Sequence, residues 1–538
     1  NGWRAPGKGR LYRVTHPKAS KDPLVKEVKE LFANGIHKLP SKKLVALLSH
    51  QDMRVRQEAQ FSLAERKKES IDALTTVAKS SSNQLARLHA IWGLGPIGRS
   101  HREAYSPLTA LLKDQDEQVR SQSAKVLGDG KVTAARKSLE ECLEDDSARV
   151  RFFATMSLGK IGEKASIPAI LSMVKSNADT DAYLRHAGVM ALVRIGDLKS
   201  IQGAAKSEHS PVRMASLLAM RRLKRPEITQ FLHDADPLIV VEAARAINGA
   251  LIKPAMSELA SLIDRSAKSE ATLQRILSEA EKANQTKTVV EPLLYRILNA
   301  NLRLRDLSNA EAVAHFATRE NVPLELRVEA MRILRTWDKP SGRDRLIGLW
   351  RPLPSRPQSV AATAMRAHLG GIFNGPDRLR KEAARVAAHL GIKQVGPALL
   401  KLLKDTERPA SSRVAMLRAL TQLKDQRLPE AIEIGLKDAE PSVRHEARRA
   451  LALRSPGKAG AMLRSILNEG DKLPGKVTAE RQREADQIAK QGAFAILGKL
   501  KTRSAEELLT DWMEKLIAKK VAPELQLDVL EAASASPF

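Results

Sequence analysis

The sequence predicts an all-α fold, a superhelix of stacked helical hairpins (an α-solenoid), with a short β remnant at its N-terminus. Two observations carry that prediction. Aromatic residues make up only 3% of the 538 residues while 43% are apolar, so the core must be built from Ala, Leu, Ile and Val, which suits closely packed amphipathic helices better than sheets. In addition, a phrase of the form Asp-x-x-Val-Arg-x-x-Ala returns at a near-constant interval, the mark of a repeat architecture.

The phrase reads DMRVRQEA at 52–59, DEQVRSQSA at 116–124 and SARVRFFA at 147–154 after Asp145 and Asp146. Weaker copies surround Arg87, Arg185, Arg213, Arg327 and Arg444. Successive arginines at 56, 87, 120, 151, 185 and 213 lie 31, 33, 31, 34 and 28 residues apart, one helical hairpin per repeat. The Asp or Ser at the head of each phrase is an N-cap candidate, able to accept from the free N–H groups of the first turn. Val and Ala four residues apart share one helix face, and the small Ala lets a neighbouring helix approach. Gly128, Gly130, Gly159, Gly162 and Gly196 read as helix ends. Pro168, Pro254, Pro397 and Pro429 read as first-turn residues of the following helix.

On these residues the chain resembles the HEAT-repeat family in its short bacterial form, over 41–263 and again over 376–470. That resemblance implies a structural ladder, in which acids and arginines of neighbouring repeats pair. It assigns the ladder to Asp52, Arg56, Arg87, Asp116, Arg120, Asp146, Arg151, Arg185, Arg213, Arg327 and Arg444. The expected organisation is a propeller-like last strand (LYRV) within 1–17, HEAT repeats over 18–263, divergent helical repeats over 264–337, a Pro-rich irregular insertion at 338–358, a second HEAT array over 359–470 and C-terminal helices over 471–538. Pro340, Pro352, Pro354 and Pro357 forbid a continuous helix through the insertion, and Trp337 and Trp350 are expected to pack it onto the repeats.

The segments GWRAPGKGRLYRVTHP, GLWRPLPSRP and APELQLDVLEAA are also similar to the middle of large planctomycete and verrucomicrobial proteins, the PVC-type membrane-bound dehydrogenase or haem-binding proteins. This resemblance implies a segment of a longer protein, linking a sugar-dehydrogenase-like propeller to a cytochrome c domain in the cell envelope or periplasm. Haem c is then expected only in the downstream domain, and no cofactor in this chain.

A search for chemistry yields no catalytic, cofactor or metal residue. GLGPIG (93–98) matches a dinucleotide fingerprint but follows helical sequence and contains Pro96, so it reads as a helix end. GWRAPGKG (2–9) and GDKLPGKV (470–477) have phosphate-loop spacing without the Ser or Thr that follows the lysine. No two histidines stand at i, i+4, and Cys142, alone among acidic neighbours, lacks the setting of a reactive thiol. The expectation is therefore a chain that is not itself an enzyme. No run of 18 apolar residues occurs, so no membrane-spanning helix is expected.

The formal charge is +28. Residues 1–40 carry 9 basic and 3 acidic residues and 471–538 carry 11 of each, so most of the excess lies along the repeats. The reading is a HEAT-repeat scaffold that engages a protein partner or flanking domains. Attraction of an anionic polymer ranks behind it, and dedicated nucleic-acid binding behind that.

Overall fold

A computed structural model describes residues 12, 16–18, 21–264, 266–471, 473 and 477–538. Among these the only regular elements are helices; a single isolated bridge joins Arg343 and Trp350. The fold class is all-α, a solenoid of helical hairpins. The N-terminal strand expected over LYRV, and the GWRAPGKG loop, lie outside the described residues apart from Tyr12.

The phrase produces the helices for the reasons its residues suggest. In the helix Ala148–Ile161, Val150, Ala154 and Leu158 are buried at i, i+4 spacing, and in Met53–Glu65 the buried set is Val55, Ala59 and Leu63. Each buried Val or Leu contributes about 1.5–3 kcal/mol, so the phrase specifies a core stripe. Asp52 and Asp116 cap their own helices, accepting from the N–H of Arg54 at 2.8 Å and of Gln118 at 2.7 Å. Pro168, Pro397 and Pro429 stand in first turns. Pro254 instead opens a short 3-10 turn, Lys253–Ala255.

Only some of the glycines end helices. Gly162 and Gly196 do, with φ of 85° and 71°, a left-handed conformation that favours glycine. Gly128 and Gly159 lie inside their helices. A Cβ on Gly159 would sit 2.6 Å from Cα of Ala191 in the next signature helix, so this glycine sets the approach of two helices. GLGPIG likewise lies within the helix Gln84–Gly98, Pro96 included, and only Gly98 is terminal.

The chain divides into two compact units, 1–239 and 240–538. In the first, signature helices Met53–Glu65, Gln84–Gly98, Glu117–Asp129, Ala148–Ile161, Ala182–Ile195 and Ser210–Arg222 pack in succession. In the second, Leu324–Arg335, Asp377–His389, Ala410–Leu423 and Pro441–Arg454 do the same. Residues 338–357 contain no helix, and the second unit ties them down. Arg351 donates to the carbonyls of Asn248 and Gly249 at 2.9 and 2.8 Å, and the buried Asp344 accepts from Arg303 at 3.1 Å. Trp337 is fully buried, whereas Trp350 is 71% exposed, its ring lying against Gly342.

Candidate protein-interaction surface

The signature arginine has a fixed local task. In Arg56, Arg120, Arg151, Arg213 and Arg444, Nη1 donates to the carbonyls five and six residues earlier, in the turn that precedes the helix. For Arg120 these are Asp114 and Gln115 at 2.8 and 3.0 Å. The remaining fork reaches the next repeat wherever an acid waits there. Arg120 donates Nε and Nη2 to the Asp145 carboxylate at 2.7 and 2.9 Å. Arg213 grips Asp234 at 2.8 and 2.9 Å, Arg413 grips Asp438 at 2.9 Å twice, and Arg444 meets Asp471 at 3.0 Å through Nε. Arg87 pairs with Asp114.

The acids of these rungs are not the ones assigned from the sequence. Asp52 and Asp116 cap their own first turns, Asp116 also accepting from Gln84 of the preceding repeat at 2.7 Å, and Arg54 beside Asp52 holds its carboxyl down at about 2. Asp146 lends only its carbonyl, to Arg151 at 3.0 Å. In every one of these rungs except that of Asp471 the acid stands two residues before the N-cap and also ties that turn. Asp114 accepts from Asp116 N–H, Asp145 from Ser147 N–H, Asp234 from Asp236 N–H and Asp438 from Glu440 N–H, all at 2.8–3.0 Å. Where the position holds Ser81, Arg56 turns instead to the neutral ring of the buried His89, Nε to Nε2 at 3.3 Å. Arg185 lies 3.4 Å from Asp179, just before its own helix, and Arg327 donates to the Ala317 carbonyl at 2.9 Å.

Because the arginine is occupied, the outward face five residues further on is free to vary, and it varies by unit. In the first unit this position holds Phe61, Trp92, Lys125, Met156, Met190 and Leu218, all at least partly exposed. In the second it holds Arg332, Arg385, Arg418 and Arg449, with Arg245 in the same place on Pro237–Gly249. Four of these arginines follow a glutamate by three residues in the pattern Glu-Ala-x-Arg: Glu242, Glu329, Glu382 and Glu446. The pattern was legible in the sequence, masked there by the stronger Val-Arg phrase that overlaps it.

The glutamates hold the arginines in pairs. Fully buried Glu446 accepts from Arg418 Nε at 2.7 Å and Arg449 Nε at 3.0 Å; Glu382 pairs with Arg335 at 3.3 Å and Arg385 at 3.1 Å. A buried carboxylate needs such partners, and a guanidinium with five N–H groups keeps donors for the surface. Two cavities open here and share Arg418 and Gln422, one of about 260 Å³ with Arg335, Arg385 and His389, the other of about 660 Å³ with Arg449, Arg454 and Lys424. No Asp or Glu lines either.

Elsewhere the chemistry is quiet. Cys142 is buried, and burial, followed by Asp145 and Glu141, pushes its thiol up to about 11. Among the described residues no group of His, Cys, Asp and Glu could hold a metal ion, and no helix is long and apolar enough to cross a membrane.

A family profile described as HEAT repeats matches residues 41–116 and 105–192. This chain carries HEAT repeats. The bilin biosynthesis protein PecE of Mastigocladus laminosus is 28% identical over 150 residues, 25% of this chain and 55% of the relative, so the chain spans about half the length of that protein. The phycocyanobilin lyase subunit alpha of Picosynechococcus sp. strain PCC 7002 is 28% identical over 195 residues, 33% of this chain and 69% of the relative. Among solved structures, the complex of CpcE and CpcF of phycocyanin lyase from Nostoc sp. PCC7120 overlaps 41% of this chain and 93% of that chain at 21% identity, with a TM-score of 0.25. These relatives correct one expectation: they are named for bilin biosynthesis and for a lyase, and the reading of a HEAT chain outside enzymology is withdrawn. The repeats had carried that reading because no compact acid–base or nucleophile motif interrupts them.

Proposed function

We propose that this chain is a HEAT-repeat interaction subunit that holds a protein partner against the outward faces of its signature helices, in an assembly of the lyase type for which its relatives are named. The observation that carries the reading is the row Phe61, Trp92, Met156, Met190 and Leu218, apolar at one repeat position in five of six successive repeats and interrupted by Lys125. Val, Ala and Leu of the phrase fill the core, and the row stands outside it; Trp92 also donates to Gln122 of the next repeat at 2.9 Å, so the test substitutions are placed at Met156 and Met190. Aromatic and Met residues at a surface are the usual anchors of protein interfaces. The test is affinity capture from source cells with the Met156→Glu/Met190→Glu variant as matched control. A protein held by the wild type and lost from the equally stable variant is the expected result; identical captures refute the row. Added phycocyanobilin tests the lyase side: a shifted visible absorption on the protein is expected, and an unshifted spectrum refutes it.

A second reading rests on the resemblance of GWRAPGKGRLYRVTHP, GLWRPLPSRP and APELQLDVLEAA to multidomain redox proteins. It makes the same surface an internal link between a propeller and a cytochrome c domain. The coding sequence on either side of this segment decides it: a downstream C-x-x-C-H supports the link, and its absence removes it.

A further inference from the structure

We infer that the second unit's arginine groove, over helices Asp377–His389, Ala410–Leu423 and Pro441–Arg454, binds an extended protein segment in which carboxylates alternate with apolar side chains. The inference rests on the reading of the chain as a protein-binding subunit and names the partner's chemistry. Three features carry it. First, the charge is one-sided: Arg335, Arg385, Arg418, Arg449, Arg454 and Lys424 line the two joined cavities, and the only carboxylates paired to them there, Glu382 and Glu446, lie buried beneath. Second, the cations are pre-positioned. Each glutamate fixes two guanidiniums, while the side chains of Arg385, Arg418 and Arg449 remain 56%, 58% and 44% exposed. A held fork loses less freedom on binding and matches a carboxylate through two parallel N–H donors.

Third, the wall between the cations carries apolar surface: the 66% exposed Leu453 and the half-buried Val414, over buried Ala419, Leu428 and Ala450, with Ser411, Thr421 and Gln422 beside them. A sugar–phosphate backbone has nothing to set against such a wall, whereas a peptide with apolar residues between its acids covers both. Adjacent signature helices pack about 8–10 Å apart, so the three arginine positions span about 20 Å, the reach of about six extended residues.

The test is fluorescence anisotropy on the full chain with a labelled 12-residue peptide of repeating Glu-Glu-Leu, alongside a poly-Glu peptide of equal length and a DNA duplex. The Glu-Glu-Leu peptide is expected to bind most tightly, and more weakly as salt rises. Arg385→Glu/Arg418→Glu/Arg449→Glu should weaken it by about a hundredfold, at about tenfold per lost charge-assisted contact once imperfect additivity is allowed for. That variant leaves Glu382 and Glu446 buried with fewer partners and risks the fold. Lys424→Glu/Arg454→Glu touches neither glutamate and should still cost about tenfold. Equal binding of poly-Glu, tighter binding of the duplex, no peptide binding, or indifference to the Lys424/Arg454 variant each overturns the inference. None of these results bears on the Met156/Met190 capture, so failure of the groove and failure of the interaction reading are separable.

Discussion

Replacing Asp145 by Ala should destabilise the first unit far more than replacing its neighbour Asp146, the one to which the sequence reading assigns the ladder. Asp145 accepts three hydrogen bonds, from Arg120 Nε at 2.7 Å, Arg120 Nη2 at 2.9 Å and Ser147 N–H at 2.9 Å. The side chains of the pair are 17% and 12% exposed, so water replaces the lost partner only in part. Breaking a fully buried pair costs about 3–5 kcal/mol and an exposed one under about 1; this rung lies between, at about 2–3 kcal/mol. Asp146 offers only a backbone carbonyl, and Asp146→Ala should stay within about 0.5 kcal/mol of wild type. Burial alone would raise the Asp145 carboxyl, but Arg120 and the Ser147 N–H outweigh it and hold it below its ordinary value. The rung is therefore fully formed at neutral pH and lost as pH falls through the lowered native value. In a repeat array the loss is felt locally, so the assay is hydrogen exchange over 117–129 and 148–161, with urea unfolding beside it. Equal effects of the two alanine variants, or a larger one at Asp146, would refute the rung.

Three further predictions follow from the same geometry. Gly159→Ala should lower the melting temperature, because a Cβ 2.6 Å from Ala191 Cα costs about 1–3 kcal/mol of overpacking against about 1 kcal/mol of helix propensity gained, while Gly203→Ala, with nothing within 4 Å, should raise it. His89 is held neutral by burial and then by Arg56, with its pKa lowered to about 4. The unfolded chain takes up the proton that the native ring refuses, so stability falls as pH drops from about 6.5 to 4, by about 3 kcal/mol in all, and His89→Gln should remove that part of the slope in urea midpoints measured across the range. Cys142, buried and pushed up to about 11, should resist iodoacetamide at neutral pH until the first unit unfolds; rapid alkylation of the native chain would contradict its placement.

The fold was legible because its signal is local and repeated. Val-Arg-x-x-Ala and its variants, with Ala or Leu before the arginine at 87 and 185, place apolar residues on one helix face in six successive signature helices, and period and composition agree. The rung acids were not legible at the right positions, because Asp145 and Asp146, or Asp114 and Asp116, are equivalent on paper. Only the turn geometry shows that the residue two before the N-cap points to the preceding repeat. Glycine was misread for a related reason: Gly159 and Gly162 share the tail of one helix, and the passing Ala191 decides that the first is for packing and the second for termination. Trp350 was expected to anchor the insertion, yet Arg351, its neighbour, does so through two helix-end carbonyls. The proposed interaction surface was present as Glu-Ala-x-Arg in one unit and a Phe/Trp/Met row in the other. Without a structure, nothing indicated that the structural arginine leaves the fifth position after it facing outward.

Site-specific photo-cross-linking in source cells tests the central claim most directly, with the probe placed at Met190 on the outward row and, as control, at the exposed Lys137 on Arg136–Glu141, a non-signature helix of an earlier repeat. The account predicts a discrete protein adduct from position 190 and none from position 137. Equal adducts from both, or an adduct only from position 137, would contradict it.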